Sequence, residues 1–169
     1  MIMRNLAVAL AFVALAAASA TAAPTPVPGG ANQVKALSGK VGDTIFNGVL
    51  RIQISELRDA TADDHPEKMY PNPGQKIMVM SVLLRNGAHS DFIDLLSYTL
   101  ADKDDVTFDI GSSYIQHANL HILQGGSARQ TAMFPVDQSF VPTKLIVQCA
   151  TCGAHSAFRS VRFTVGSPQ

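Results

Sequence analysis

Residues 77–84 form a short apolar run that only Ser81 interrupts, and turn residues lie at both of its ends. Pro73-Gly74 precedes the run and Asn86-Gly87 follows it. An apolar run of this length between turn signals is typical of a strand that is covered on both faces, because a helix would show a longer periodic pattern. The pattern therefore predicts the central strand of a β-sandwich.

A regular alternation of apolar and polar positions precedes this run. Leu50, Ile52 and Ile54 are separated by single polar residues, which is the period of a strand with one solvent-facing side. Asn47-Gly48, shortly before them, is a strong hairpin signal. Residues 34–46 and 49–57 are therefore predicted to form an opening hairpin, with a turn or bulge at Gly42-Asp43.

The remaining pattern predicts further strands over residues 92–101, 106–110, 127–136, 144–149 and 157–165. Residues 58–73 are predicted to be a long polar loop, and Pro135 and Pro142 are predicted to bracket another polar loop. Residues 112–124 fit a short helix, an irregular loop or a strand. About eight short strands separated by turns indicate an all-β fold, an immunoglobulin-like antiparallel β-sandwich of about seven to nine strands over residues 34–166.

The first 22 residues have the pattern of a secretory signal peptide, with Arg4, an apolar run over residues 6–17 and then small residues. The run is shorter than the roughly 20 apolar residues of a membrane-spanning helix, which disfavours an uncleaved anchor. Residues 1–22 are therefore predicted to be removed on export. Residues 23–33, rich in proline and glycine, are predicted to be an extended linker. We expect a secreted or periplasmic protein without a membrane span.

The overall charge of the chain disfavours two classes of partner. The 169 residues include 13 basic and 13 acidic side chains, so there is no basic excess. A nucleic-acid-binding domain needs a basic face, and a lipid-binding segment needs a run of basic residues. We therefore expect no nucleic-acid partner. The absence of tryptophan also excludes the buried tryptophan of antibody domains.

Short structural motifs follow one another along the chain in this order: Gly42-Asp43-Thr44, Asn47-Gly48-Val49, Pro73-Gly74-Gln75-Lys76, Arg85-Asn86, Gly125-Gly126, Met133-Phe134-Pro135-Val136 and Leu145-Ile146-Val147. In this order they resemble the telokin-like, immunoglobulin-type β-sandwich family of bacterial secreted proteins and lipoproteins of unknown function. The resemblance covers residues 34–150. It implies a sandwich fold and an extracytoplasmic location, and it brings no catalytic residues with it.

Cys149 and Cys152 are the two cysteines of the chain. In an exported protein such a pair is by default a disulfide, here closing a tight turn between the last two strands. One alternative is a redox-active dithiol, which needs a cation or a helix N-terminus beside it. Another is half of a zinc site together with His155, although structural zinc requires four ligands. The sequence favours the disulfide.

His117 and His121 would share one face of a helix, where both could bind one metal ion. On a strand the same spacing places them about 13 Å apart, so this metal site requires residues 112–124 to be helical. His117, His121 and His155 are therefore the candidate ligands of an alternative function, an extracytoplasmic metal-binding protein. The simpler interpretation is that they are surface histidines.

The sequence contains no Gly-x-Ser-x-Gly, no His-Glu-x-x-His and no glycine-rich phosphate loop. We therefore expect a non-enzymatic protein without a cofactor, which binds a protein or another component of the cell envelope. The end loops of a sandwich are the expected contact sites. In this chain they are residues 58–73 and 111–126.

Overall fold

The strand predicted over residues 77–84 runs from Gln75 to Asn86 and lies in the middle of a five-stranded sheet. The computed structural model describes residues 37–153 and 156–166. The predicted signal peptide (residues 1–22) and linker (residues 23–33) lie outside the described residues.

The described residues form ten strands: β1 (Leu37–Lys40), β2 (Thr44–Phe46), β3 (Leu50–Asp59), β4 (Gln75–Asn86), β5 (Leu96–Ala101), β6 (Thr107–Ile110), β7 (Ile115–Gln116), β8 (Ser127–Asp137), β9 (Lys144–Cys149) and β10 (Val161–Thr164). Three 3-10 turns of three or four residues complete the regular structure of this part of the chain, over Ala62–Asp64, Pro66–Met69 and Ser112–Tyr114. No helix among the described residues is long and apolar enough to cross a membrane.

The strands form two sheets of five. The β4 sheet has the order β2-β3-β4-β8-β7, and the β9 sheet has the order β1-β10-β9-β5-β6. The pairing of β1 with β10 is parallel, and the other strand pairs are antiparallel. The predicted all-β sandwich is confirmed. It has more strands than predicted because the turn at Gly42 divides residues 34–46 between the two sheets, and because residues 112–124 contribute the two-residue strand β7.

The opening hairpin forms because the Asn47 side chain closes it. Asn47 Oδ1 accepts hydrogen bonds from the backbone N–H groups of Val49 and Leu50 at 3.1 and 2.8 Å. Gly48 has a φ of 102°, a left-handed conformation that favours glycine. The turn joins β2 and β3 as predicted.

The core lies between the sheets and is filled by alternate residues of the long strands. A bulge between Ile54 and Glu56 shifts the alternation of β3, so that the buried positions of this strand end at Ile54. The largest fully buried apolar side chains of the core are Tyr98, Phe134, Phe163, Leu50, Ile52, Ile54, Met80, Leu84, Leu100, Ile122 and Leu145.

Two predicted strand boundaries, the start of the last strand and the end of β8, were wrong. The last strand begins at Val161 rather than at residue 157. The pairing with β9 does not continue to Arg159 because the backbone of Arg159 is bonded to Asn47. Its N–H donates to the Asn47 carbonyl and its carbonyl accepts from Asn47 Nδ2, both at 3.1 Å. Pro135 lies inside β8 opposite Ile77 and does not begin a loop. Beyond Thr131 and Ala132, β7 no longer covers that side of β8, so this part of β8 is an open edge that tolerates proline.

Candidate functional site

The polar segment between β3 and β4 forms an ordered loop at one end of the β4 sheet. It spans residues 60–74 and contains the turns Ala62–Asp64 and Pro66–Met69. We call this segment the Tyr70 loop. Its position agrees with the loop predicted over residues 58–73.

One carboxylate, that of Asp64, fixes the first half of this loop. Arg58, near the end of β3, donates from Nη1 and Nη2 to the two Asp64 oxygens at 2.6 and 3.0 Å. The backbone N–H and the hydroxyl of Thr61 donate to Asp64 Oδ2 at 2.7 and 3.0 Å. The Arg58 hydrogen bonds, followed by that from the Thr61 backbone, hold the pKa of Asp64 well below its usual range. While Asp64 is ionised, the loop is therefore fastened to β3.

The loop holds an aromatic side chain in solvent. Tyr70 is 88 % exposed and has a φ of 47°. His65 has a similar left-handed backbone, with a φ of 55°. This conformation is unfavourable for residues other than glycine, so it requires support from the surrounding loop. A large aromatic side chain that is displayed rather than packed is a typical anchor for contact with another protein.

A cleft of about 360 Å³ opens beside the Tyr70 loop, between the ends of the two sheets. Lys76 lies at this cleft and forms an ion pair with Asp59 at 3.0 Å. Its apolar lining comes from both sheets and their loops: Val41, Leu57, Met78, Val141, Pro142 and Val165. The cleft can therefore accept an apolar side chain at the end of the β4 sheet where the Tyr70 loop leaves β3 and enters β4.

A second cluster lies at the two cysteines. The structure joins Cys149 and Cys152 in a disulfide, with the two Cα atoms 5.5 Å apart. Asp94 Oδ2 lies 3.6 Å from Cys152 Sγ, and Asp94 Oδ1 accepts a hydrogen bond from the Thr151 hydroxyl at 3.1 Å. Thr151 Oγ1 in turn accepts from the Leu95 N–H at 2.9 Å. The segment before β5 is thereby attached to the disulfide turn.

Asp94, Cys149 and Cys152 are the one group of three potential metal ligands that come within 4.8 Å of one another in residues 37–153 and 156–166. A cavity of about 400 Å³ with several serine hydroxyls borders the group. While the disulfide is intact, neither sulfur is a thiolate, and the group cannot bind a soft metal.

The histidines predicted as alternative metal ligands are not brought together by a helix. His117 follows the two-residue strand β7 with a φ of 57°, and residues 118–124 contain no helix. His121 Nε2 lies 3.3 Å from Asp91 Oδ2 at the surface. The pKa of Asp91 is lowered, first by the backbone N–H of Gln124 and then by His121. His155 lies outside the described residues.

Sequence reasoning missed both Asp64 and Asp94. Thr61 and Asp64 have the spacing of a capping box, which is a readable signal for a local turn. No local pattern marks Asp94, because its partner Thr151 lies 57 residues away in the sequence.

The comparisons with known proteins support the fold alone. No protein-family model matches the sequence, and no curated protein matches it. The chain is similar in structure to an uncharacterised β-sandwich protein from Clostridium difficile 630, with a TM-score of 0.51 and 10 % sequence identity over 80 % of this chain and 97 % of that chain. It is also similar to a Northeast Structural Genomics Consortium target, with a TM-score of 0.42 and 9 % identity over 70 % of this chain and 88 % of that one.

Proposed function

We propose that the chain is an exported, non-enzymatic domain of the telokin-like, immunoglobulin-type family that binds a partner protein through the Tyr70 loop. The observation that carries this proposal is the 88 % exposure of Tyr70 on a loop that Arg58 and Asp64 hold in place. Export is supported by the signal-peptide pattern of residues 1–22 and by the disulfide, which persists in oxidising compartments.

The arrangement of the loop favours binding because its conformation is set before a partner arrives. An ordered loop loses little conformational freedom on binding, so more of the contact energy appears as affinity. Tyrosine is enriched among the residues that dominate protein interfaces. The cleft at the same end of the β4 sheet supplies a pocket in which a side chain of the partner can be buried.

Site-specific photo-crosslinking tests this function. A photoreactive phenylalanine analogue is placed at Tyr70 and, as a control, at Val106, which is 58 % exposed between β5 and β6. The exported protein is crosslinked in intact cells. We expect a discrete adduct from position 70 and none of that size from position 106. The same adducts from both positions would contradict the proposal.

Two substitutions then measure the contribution of the loop to binding of the crosslinked partner. Tyr70→Ala is expected to weaken binding by roughly 30-fold, the loss of a typical interface anchor. Arg58→Gln should also weaken it, because the loop is released, whereas Val106→Ala should leave it within twofold. Unchanged affinity in Tyr70→Ala would exclude this loop as the contact site.

Metal binding remains a second candidate function because Asp94 adds a carboxylate to the two cysteines. Two ligands of one tetrahedral zinc ion, a sulfur and an oxygen, lie roughly 3.5 Å apart, and the Asp94–Cys152 separation is 3.6 Å. After a thiol reductant opens the disulfide, two thiolates and Asp94 would supply three ligands. Zinc analysis of the reduced protein tests this, with Asp94→Asn as the variant. No zinc retention by the reduced protein would refute it.

A further inference from the structure

Two arginines lie directly opposite each other on the outer face of the β4 sheet. Arg51 on β3 pairs with Arg85 on β4, so both side chains leave the same face of the sheet. Arg129 on β8 lies opposite Leu83, two residues from Arg85, and therefore shares that face. We call Arg51, Arg85 and Arg129 the arginine patch. Like charges directly opposite each other destabilise a sheet, so this pairing does not serve the fold.

The arginine patch has no acidic partner. Every aspartate and glutamate of the chain lies between positions 43 and 137, inside the described residues. None of the described ion pairs or hydrogen bonds joins one of them to Arg51, Arg85 or Arg129. Some other cations of the domain do have acidic partners, as Lys76 has Asp59 and Lys144 has Asp105. The carboxylate on the same face, Glu56, is bonded to Arg58.

The position of Arg51 is set by its neighbours. Its guanidinium carbon lies 5.0 Å from the centre of the Phe46 ring, a cation–π arrangement. Gly87 lies next to both groups, and a Cβ atom there would come within 2.6 Å of Arg51 Nη1 and 2.9 Å of the Phe46 ring. In the structure the Arg51 guanidinium therefore occupies space that a side chain at position 87 would otherwise take.

A cavity of about 430 Å³ lies over this pair. Its lining includes Arg51, Arg85, His89 and Gln124, together with the glycine-rich backbone at Gly87 and Gly125. The Asp91 carboxylate is turned to the backbone N–H of Gln124 and to His121. The volume falls within the range of small-molecule sites. The cavity therefore combines two positive charges with space for a compact ligand.

We propose that Arg51 and Arg85 form a binding site for a phosphate or sulfate group carried by a small soluble ester. The planar guanidinium groups donate paired hydrogen bonds to a tetrahedral oxyanion, and the anion removes the repulsion between the two arginines. A soluble ester is favoured over an anionic membrane surface because the sequence has no run of basic residues. This site lies at the opposite end of β3 and β4 from the Tyr70 loop, so it is independent of partner binding there.

Calorimetric titration of the disulfide-intact exported protein tests the site with three probes: inorganic phosphate, glucose 6-phosphate and vesicles containing phosphatidylglycerol. We expect binding of the two soluble anions, tighter for the ester. Arg51→Ala and Arg85→Ala should each weaken binding by about 10-fold, the loss of a charge-assisted hydrogen bond. Lys103→Ala, which removes one exposed positive charge elsewhere, should leave affinity within twofold.

Gly87→Ala separates a built site from general electrostatic attraction. This variant keeps every charge but displaces the Arg51 guanidinium, so it should weaken anion binding as Arg51→Ala does. Phosphate should raise the melting temperature of the wild-type protein and not that of the double variant Arg51→Ala/Arg85→Ala. Without ligand, Arg85→Ala should melt at or above the wild-type temperature, because it removes the like-charge pair and keeps the contact of Arg51 with Phe46.

Three results would overturn the proposal. One is the absence of binding of either soluble anion by the wild-type protein at millimolar concentration. Another is equal affinity in wild-type protein and the double arginine variant. The third is binding to the vesicles alone, which would assign the arginine patch to a membrane surface instead.

Discussion

The Tyr98 hydroxyl donates a hydrogen bond of 2.5 Å to Gln130 Oε1 across the core, from the β9 sheet to the β4 sheet. Both side chains are 1 % exposed. Gln130 Nε2 continues the chain of bonds to the backbone carbonyl of His117 at 2.8 Å. Burial raises the pKa of Tyr98 above its usual range, so the phenol stays a donor. One polar contact thus fixes the two sheets and the segment after β7 relative to one another.

Tyr98→Phe should lower the free energy of unfolding by about 1–3 kcal/mol, because Gln130 Oε1 then remains buried without a donor. Urea denaturation monitored by circular dichroism measures this. Tyr114→Phe is the matched control, since Tyr114 is 36 % exposed, and we expect a change below about 0.5 kcal/mol there. Equal effects of the two substitutions would show that the Tyr98–Gln130 bond contributes nothing measurable.

The Tyr70 loop should open in acid. Because the pKa of Asp64 is depressed in the folded protein, its contribution is present above the ordinary carboxyl pKa of about 3.9 and is lost as the pH falls below it. NMR titration should show the amide signals of Thr61 and Tyr70 shifting in that acidic range. In Arg58→Ala the titration of Asp64 should move up toward about pH 3.9. An unchanged Asp64 midpoint would show that Arg58 does not control the loop.

The disulfide should add little to stability. Cys149 and Cys152 are separated by only three positions, and closing so short a loop removes little entropy from the unfolded chain. Replacing both cysteines by serine should therefore lower the free energy of unfolding by about 2 kcal/mol and leave a folded protein. Asp94 and Thr151 keep a hydrogen bond between the turn and the segment before β5. Unfolding of the serine variant at 25 °C would contradict this expectation.

The sequence predicts the interior of this protein better than its surface. The strand around Val82 is readable because complete burial requires an unbroken apolar run, and the hairpin at Asn47 is readable because its turn has a local chemical cause. The ends of strands depend on contacts with residues far away in the sequence. Residues 157–160 alternate like a strand, yet the backbone of Arg159 bonds to Asn47 and not to β9. A local pattern carries no information about such a distant partner.

Local sequence patterns could not predict the candidate sites either, as the arginine patch shows. Equal numbers of acidic and basic residues indicate no charged face. The register of β3 against β4 nevertheless places Arg51 opposite Arg85, and none of the described ion pairs brings an acidic side chain to either of them. The Tyr70 loop was expected as a contact site because polar end loops commonly carry function. Its fixed conformation depends on Arg58 and Asp64, whose interaction requires the structure.

Substitution of Tyr70 should separate stability from binding. Its φ of 47° favours glycine, so Tyr70→Gly should be more stable than Tyr70→Ala by about 1 kcal/mol. Little packing is lost in either variant, because the side chain is 88 % exposed. Both variants should bind the partner equally poorly.

Gly74→Ala is the control that keeps Tyr70. Gly74 has a φ of 86° in the same loop, so this substitution should destabilise the protein by a similar amount. Thermal denaturation measures the stabilities, and an alanine variant as stable as the glycine variant would show that Tyr70 imposes no backbone strain.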